Sequence, residues 1–416
     1  MKISKRLYVY LQRPDTGEWV TVGRYALHED GLTGVFRYAP SYADAGLTWS
    51  IDPVNLPFLP DIEHLAPRYR GLHDVLRDAC PDSWGKMLMQ REHNLPQNAH
   101  DSDYLIHARN GDRWGALAIG TSPRPSISVL ASPKLPQLEI LSQELVAMYE
   151  RRPPIDARIR KQLMATPSMG GARPKGTLQE KDAYWLVKPI LPSDTLDIPL
   201  LEHVTQQWGT AAGLNFARSI HQQVKDGLSV LRVRRFDRVG ERRSMAVSAA
   251  SLLGTEYPGG LETSRWSYPR LAEELKRIGA PLEDRFELFD RMVFNAIVGN
   301  DDDHPRNHAV IYHAAEKRWR LSPAFDVVPH PDGHPRALAM QLSLGRFDIG
   351  RDAVLADAIR FGFDSREMAA THLDVLLVRI TDAFELVLPM LSADLQHLMK
   401  RRLESGLPLL GKPRLS

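Results

Sequence analysis

The densest chemistry in the chain lies in Gly299-Asn300-Asp301-Asp302-Asp303-His304-Pro305-Arg306-Asn307-His308, directly after a helix-spaced apolar run that ends at Val298. Three successive carboxylates repel one another, so such a run calls for a counter-cation or a solvated turn. A helix stop and turn is the plain reading, because Gly and Asn end helices and Asp favours turns. The spacing adds to this. Asn307 lies five residues after Asp302, and Asp326 follows in Ser322-Pro323-Ala324-Phe325-Asp326. Amide and carboxylate oxygens are what a hard cation such as Mg²⁺ takes, and two such side chains leave room for phosphate and water. Residues 309–312 and 317–321 read as a short hairpin that would return the chain to the same place.

An Asp followed five residues later by an Asn is also the step found in protein-kinase catalytic loops. There the Asp orients the substrate hydroxyl, while the Asn and a later Asp hold the metal. Phosphoryl transfer needs a phosphate grip as well. Ser168-Met169-Gly170-Gly171-Ala172-Arg173-Pro174-Lys175 is a small-residue, basic loop whose amides could approach phosphate oxygens. Read alone it is a plain glycine turn, and it lacks the Gly-x4-Gly-Lys-Ser/Thr pattern. Lys188 ends an apolar and aromatic strand just before Pro189, where a phosphate-anchoring Lys would sit; an edge-strand Lys with a solvated head has the same pattern. Glu202 could pair with Lys188 or be a surface residue. Arg234-Arg235-Phe236-Asp237-Arg238 ends a strand at a change of character, either as a charged hairpin or as a junction whose backbone meets an adenine ring.

Elements must hold these groups in place. Residues 7–11, 19–25 and 34–38 read as strands of a small antiparallel sheet. Residues 71–90 are more helical, with Leu72, Val75, Leu76 and Ala79 at helix spacing. A helix is expected over 138–151, strands over 183–188, 216–220 and 230–233, and a helix over 200–212. From residue 266 onward the pattern is helical, over 282–298, 365–391 and 394–404.

In order, these pieces resemble the HipA family of bacterial serine/threonine-kinase toxins. The resemblance rests on the 168–175 loop, Lys188-Pro189 and Arg235-Phe236-Asp237-Arg238. It rests also on Gly299-Asn300-x-Asp302-x-His304-x-x-Asn307, Pro323-x-Phe325-Asp326, and, near the start, Leu76-x-Asp78-x-x-Pro81-Asp82-x-Trp84-Gly85. It implies an α+β, two-lobed, protein-kinase-like fold: an N-terminal α+β module over 1–115, a β-rich N-lobe over 116–247 and a helical C-lobe over 248–416. It also implies Asp302 as the catalytic residue and Asn307 and Asp326 as Mg²⁺ ligands. The ATP-binding set would be Gly170, Gly171, Ala172, Arg173, Pro174, Lys175, Lys188, Arg234, Arg235, Phe236, His304, Asn307, Phe325 and Asp326. Ser168 falls where the family carries an autophosphorylated serine. The implied partners are a small helix-turn-helix antitoxin of the HipB kind, operator DNA reached through it, and a protein substrate such as an aminoacyl-tRNA synthetase.

Composition narrows the classes. The chain has 416 residues, 43% hydrophobic and 25% charged, as folded domains do. No run approaches the roughly 18 apolar residues of a membrane span. The start is not followed by an apolar run, so a cytoplasmic protein without a membrane partner is expected. The lone Cys80 excludes an intrachain disulfide. A net charge of +2 argues against a general polyanion binder, although Arg outnumbers Lys roughly three to one. Two rivals stand beside the kinase reading. One is a metal-dependent phosphohydrolase built on Asp301, Asp302, Asp303, His304 and His308. The other is a weakly catalytic kinase fold acting as a corepressor with a helix-turn-helix partner on DNA.

Overall fold

Alternating apolar and polar residues near the start fold as antiparallel strands Ile3–Gln12, Trp19–His28 and Gly34–Tyr38. Strands His64–Leu65 and Leu117–Gly120 complete a five-stranded sheet, ordered 64–65, 34–38, 19–28, 3–12 and 117–120. Leu7, Val9, Leu11, Tyr25 and Phe36 are fully buried within it. This is a computed structural model, and it describes residues 2–127, 132–164, 171, 173–257 and 262–411. The chain divides into two compact units. The first comprises Met1–Pro189, Arg235–Glu256 and Ile311–Lys317; the second comprises Ile190–Arg234, Tyr257–Val310 and Arg318–Ser416.

In the first unit the expected helical stretch over 71–90 is two helices, Asp74–Asp78 and Ser83–His93. Pro81 cannot continue a helix, and Asp82 starts the second by accepting the Gly85 amide at 2.9 Å. Farther on, helix Leu138–Tyr149 buries Leu138, Leu141, Leu145 and Met148 along one stripe. Strands Gly176–Glu180 and Ala183–Pro189 form an antiparallel hairpin. Gly176 lets that hairpin approach closely: a Cβ there would come 2.7 Å from Leu163 and also meet Leu141 and Leu145.

The second unit is mainly helical, with Ile198–Ala211, Tyr268–Arg277, Leu282–Val298, Arg366–Val387 and Ala393–Leu410 as its main helices. Its core gathers Trp208, Phe294 and Phe384, whose rings lie 4.9–5.2 Å apart about Trp208. The Trp208 indole N–H donates to the Ile380 carbonyl at 2.7 Å, which satisfies the one polar atom of a fully buried ring. The strand expected over 216–220 lies instead at Ser219–Gln223, paired with Ser229–Arg234. Phe216 and Ala217 are drawn to another partner, the Ala324 segment. No helix of the described residues is long and apolar enough to cross a membrane.

Candidate active site

Helix Leu282–Val298 ends because Gly299 turns left-handed, with φ of 73°. A Cβ at Gly299 would also lie 2.7 Å from Pro335 Cδ, so glycine is required twice over. The loop that follows is tied to itself. The Asp302 carbonyl accepts from the His304 amide at 2.9 Å and from Asn307 Nδ2 at 3.0 Å, and the Asn307 amide donates to the His304 carbonyl at 2.9 Å. Because Nδ2 of Asn307 is used in this way, its Oδ1 is the atom left to serve a cation. The chain then runs out along strand Ala309–His313 and back along Arg318–Leu321, as the sequence suggests.

The return segment is anchored to the same helix. At the helix N-terminus, Asp284 accepts the Leu321 amide at 2.7 Å and pairs with Arg320. One turn on, Glu287 accepts the Asn215 amide at 2.9 Å, and Arg291 donates to the Asn215 carbonyl at 3.1 Å. Asn215 in turn receives the Ala324 amide at 2.8 Å. Asp326, two residues later, has φ of 59°, a left-handed conformation uncommon outside Gly, Asn and Asp. One helix therefore positions both the Asp302 loop and the Asp326 segment.

Asp302 and Asp326 are brought together closely enough to sense each other's charge. The Asp302 pKa is raised to about 6, by surrounding protein that displaces water and then by the like charges of Asp326 and Asp301. Its side chain is 87% exposed, so charge repulsion is the cause that its open position supports best. His304 goes the other way. Burial lowers its pKa to about 4, although Asp326 and Asp303 pull upward, so the ring is neutral near pH 7. That ring packs on Tyr257 with centroids 4.1 Å apart, and its Nε2 lies 4.0 Å from Asp302 Oδ1. Burial raises the Tyr257 pKa to about 12, with Asp302 and Asp326 adding to the rise.

The expected phosphate grip lies in the first unit. The hairpin register pairs Gly176 with Val187, the neighbours of Lys175 and Lys188 in the chain. Both lysines are buried, at 5% and 9% exposure. Lys175 Nζ lies 3.5 Å from Asp82 Oδ2, so the residue that caps helix Ser83–His93 also faces Lys175. Gly171, Arg173 and Pro174 lie alongside; Ser168, Gly170 and Ala172 fall outside the described residues.

The 234–236 strand end is less open than the sequence suggests. The Arg234 and Arg235 amides are spent on the carbonyls of Arg218 and Tyr184. The Arg235 guanidinium, fully buried, pairs with Asp237 at 2.8 Å and with Asp112. That guanidinium is therefore committed to protein carboxylates. Burial by itself would raise the Asp237 carboxyl; Arg235 and Arg238 outweigh it and hold its pKa below the usual range. In the second unit Glu202, read from sequence as a pairing or a surface residue, is 3% exposed and accepts from Gln206 at 3.3 Å. Phe325 is half-buried beside Asp326 and lines, with Asn307, Asp303 and His308, a cavity of about 10 Å³, room for one water.

Tyr257 and Tyr268 escaped the sequence reading, and Asp82 entered it only within an N-terminal motif, because each is brought to its partner by distant chain. Asp82 and Lys175, for instance, are 93 residues apart.

A family model for the HipA-like C-terminal domain matches residues 167–382. A search of curated proteins gives no match. Among solved structures the chain is similar to one described as the Shewanella oneidensis MR-1 toxin-antitoxin system HipA, HipB and its operator DNA complex. The TM-score is 0.69 at 17% identity, over 97% of this chain and 97% of that one. It also matches the Helicobacter pylori proinflammatory kinase CtkA with a TM-score of 0.44 and 15% identity, over 56% of this chain and 90% of that chain. The first likeness establishes an overall α+β fold shared with HipA.

Proposed function

Since the chain belongs to the HipA family through the domain matched by residues 167–382, we propose that it is an ATP-dependent kinase that phosphorylates a protein Ser or Thr. The observation that carries this reading is the convergence of Asp302, Asn307 and Asp326 at one helix end, with Asp302 exposed and the other two held by backbone geometry.

The donor set fits a hard cation. Asn307 Oδ1 and the Asp326 carboxylate would hold Mg²⁺, which when bound neutralises phosphate charge. Lys188 and Lys175, both buried in the first unit, would grip the phosphates. Phe236 would contact the base. Asp302 orients the substrate hydroxyl and accepts its proton at the exposed carboxylate. His304, neutral near pH 7, fills the wall beside it without adding charge. Catalysis of this kind is mostly positioning and charge stabilisation.

Ser168 is the proposed autophosphorylation site. A phosphate there would bring about two negative charges to an anion-binding loop and weaken ATP binding. The similar Shewanella structure includes HipB and operator DNA, and a HipB-like antitoxin is the proposed partner of this chain. In that setting the kinase would act as a toxin on a translation component such as an aminoacyl-tRNA synthetase. A corepressor role on DNA is compatible with the same partner. The phosphohydrolase reading loses one of its ligands, because both oxygens of Asp303 are taken by protein side chains.

The test is Asp302→Asn. It should bind ATP as the unmodified chain does, lose at least about 10³-fold in γ-phosphate transfer, and relieve growth inhibition on induction. If the variant still labels protein at the wild-type rate, Asp302 is not the catalytic residue.

A further inference from the structure

The transfer chemistry above leaves Asp303 without a role, yet it is the most enclosed carboxylate of the acidic run. Its side chain is 1% exposed, against 38% for Asp301 and 87% for Asp302. One of its oxygens accepts the Tyr268 hydroxyl, and the other accepts His308 Nε2–H at 2.8 Å. The Tyr268 hydroxyl itself accepts from Asn295 Nδ2 at 2.9 Å, and Asn295 Oδ1 accepts from Asn300 Nδ2 at 3.1 Å. The His308 ring meets Tyr268 edge-on at 5.3 Å. The buried chain Asn300, Asn295, Tyr268, Asp303, His308 thus fastens the start, middle and end of the loop to helices Tyr268–Arg277 and Leu282–Val298.

We propose that Asp303 is a positioning residue for phosphoryl transfer. The inference rests on the kinase reading. Its physical basis is one peptide plane. Asp302 C=O and Asp303 N–H belong to the same peptide unit, so a two-point hold on the Asp303 side chain fixes the tilt of that plane. The Asp302 carbonyl on this plane is what receives the His304 amide and Asn307 Nδ2. Fixing Asp303 inward therefore turns Asp302 outward to the substrate and sets the direction in which Asn307 offers its oxygen. A misplacement of about 1 Å in such groups can cost about 10²-fold in rate.

The experiment compares the full-length chain with Asp303→Asn and Tyr268→Phe. Release or transfer of γ-phosphate from labelled MgATP gives kcat and KM, hydrogen exchange reads the amides of 300–308, and a thermal melt checks the fold. The Asp303→Asn variant should lose about 10²-fold in kcat with KM for MgATP within about threefold, and loop amides should exchange about tenfold faster or more. Tyr268→Phe, which deletes one hydroxyl, should show a smaller loss of the same kind; it carries the test if the first variant does not fold. The proposal is overturned if kcat holds within about twofold, or if it falls only in step with the folded fraction while loop exchange is unchanged. Should the unmodified chain transfer no phosphate at all, the kinase reading fails on that result alone. Loop exchange then decides the brace, and unchanged exchange at 300–308 in Asp303→Asn refutes it.

Discussion

The Asp302 carboxylate works against the stability of the fold. Its pKa, raised to about 6 from an ordinary value near 4, means that the folded chain binds the proton more tightly than the unfolded one. Stability from this group is therefore complete below about pH 4 and is lost as pH rises through about 6. Above that pH the carboxylate is ionised against the charges of Asp326 and Asp301. Asp302→Asn should accordingly melt slightly higher than the unmodified chain at pH 7, and the two should converge below about pH 4. Water screens this exposed group, so the difference is small. Addition of MgATP should favour the ionised form, releasing protons near pH 6 that calorimetry in buffers of different ionisation enthalpy can count. Equal proton release from Asp302→Asn would show that another group titrates. The neighbouring carboxylates share a residue type and differ in burial, and burial is what a sequence does not print. Spacing picks out Asp302, Asn307 and Asp326, whereas Asp303 and His308 read there as metal-ligand candidates and prove to be each other's partners.

At the scale of elements, helix Leu282–Val298 does most of the positioning, and its bounds are those that the apolar spacing predicts. Its stripe of Phe289, Met292, Val293, Ala296 and Ile297 is fully buried, and the following Gly marks the end. The expected strand over 216–220 lies three residues later, because bridge pairing with Ala324 is a long-range event that local pattern cannot show. Helix Ala157–Met164 went unread since Ile159 and Leu163 are its only buried residues. Gly299 is the pivot between the helix and the loop. Gly299→Ala imposes a left-handed alanine, about 1–2 kcal/mol, and drives its Cβ against Pro335. Denaturant unfolding should therefore show a loss of about 2 kcal/mol or more. Because the strain falls one residue before Asn300, kcat per folded molecule should drop as well. A variant that unfolds earlier but keeps full turnover would mean that the helix end does not set the loop.

For the whole molecule, the net charge of +2 conceals an uneven placement of the proposed site residues. The first unit holds Lys175 and Lys188, with Asp82, Asp112 and Arg235 bracing their surroundings; the second holds Asp302, Asn307 and Asp326. Neither unit is continuous in sequence, which is why a division at 115 and 247 can be read along the chain while the compact units cannot. Binding of MgATP must stabilise the folded chain. A ligand at 100 times its Kd adds about 2.7 kcal/mol, which for a chain of this length should raise the melting midpoint by several degrees at most. Lys188→Ala should abolish most of that MgATP-induced shift, and so should Asp326→Asn, while each variant should melt cooperatively without ligand. ATP with a chelator should give a reduced shift that Lys188→Ala still removes and Asp326→Asn leaves alone, since only the latter acts through the cation. A full MgATP shift in Lys188→Ala would mean that Lys188 does not hold the phosphates, and the phosphate grip would then have to be sought outside the 175–188 hairpin.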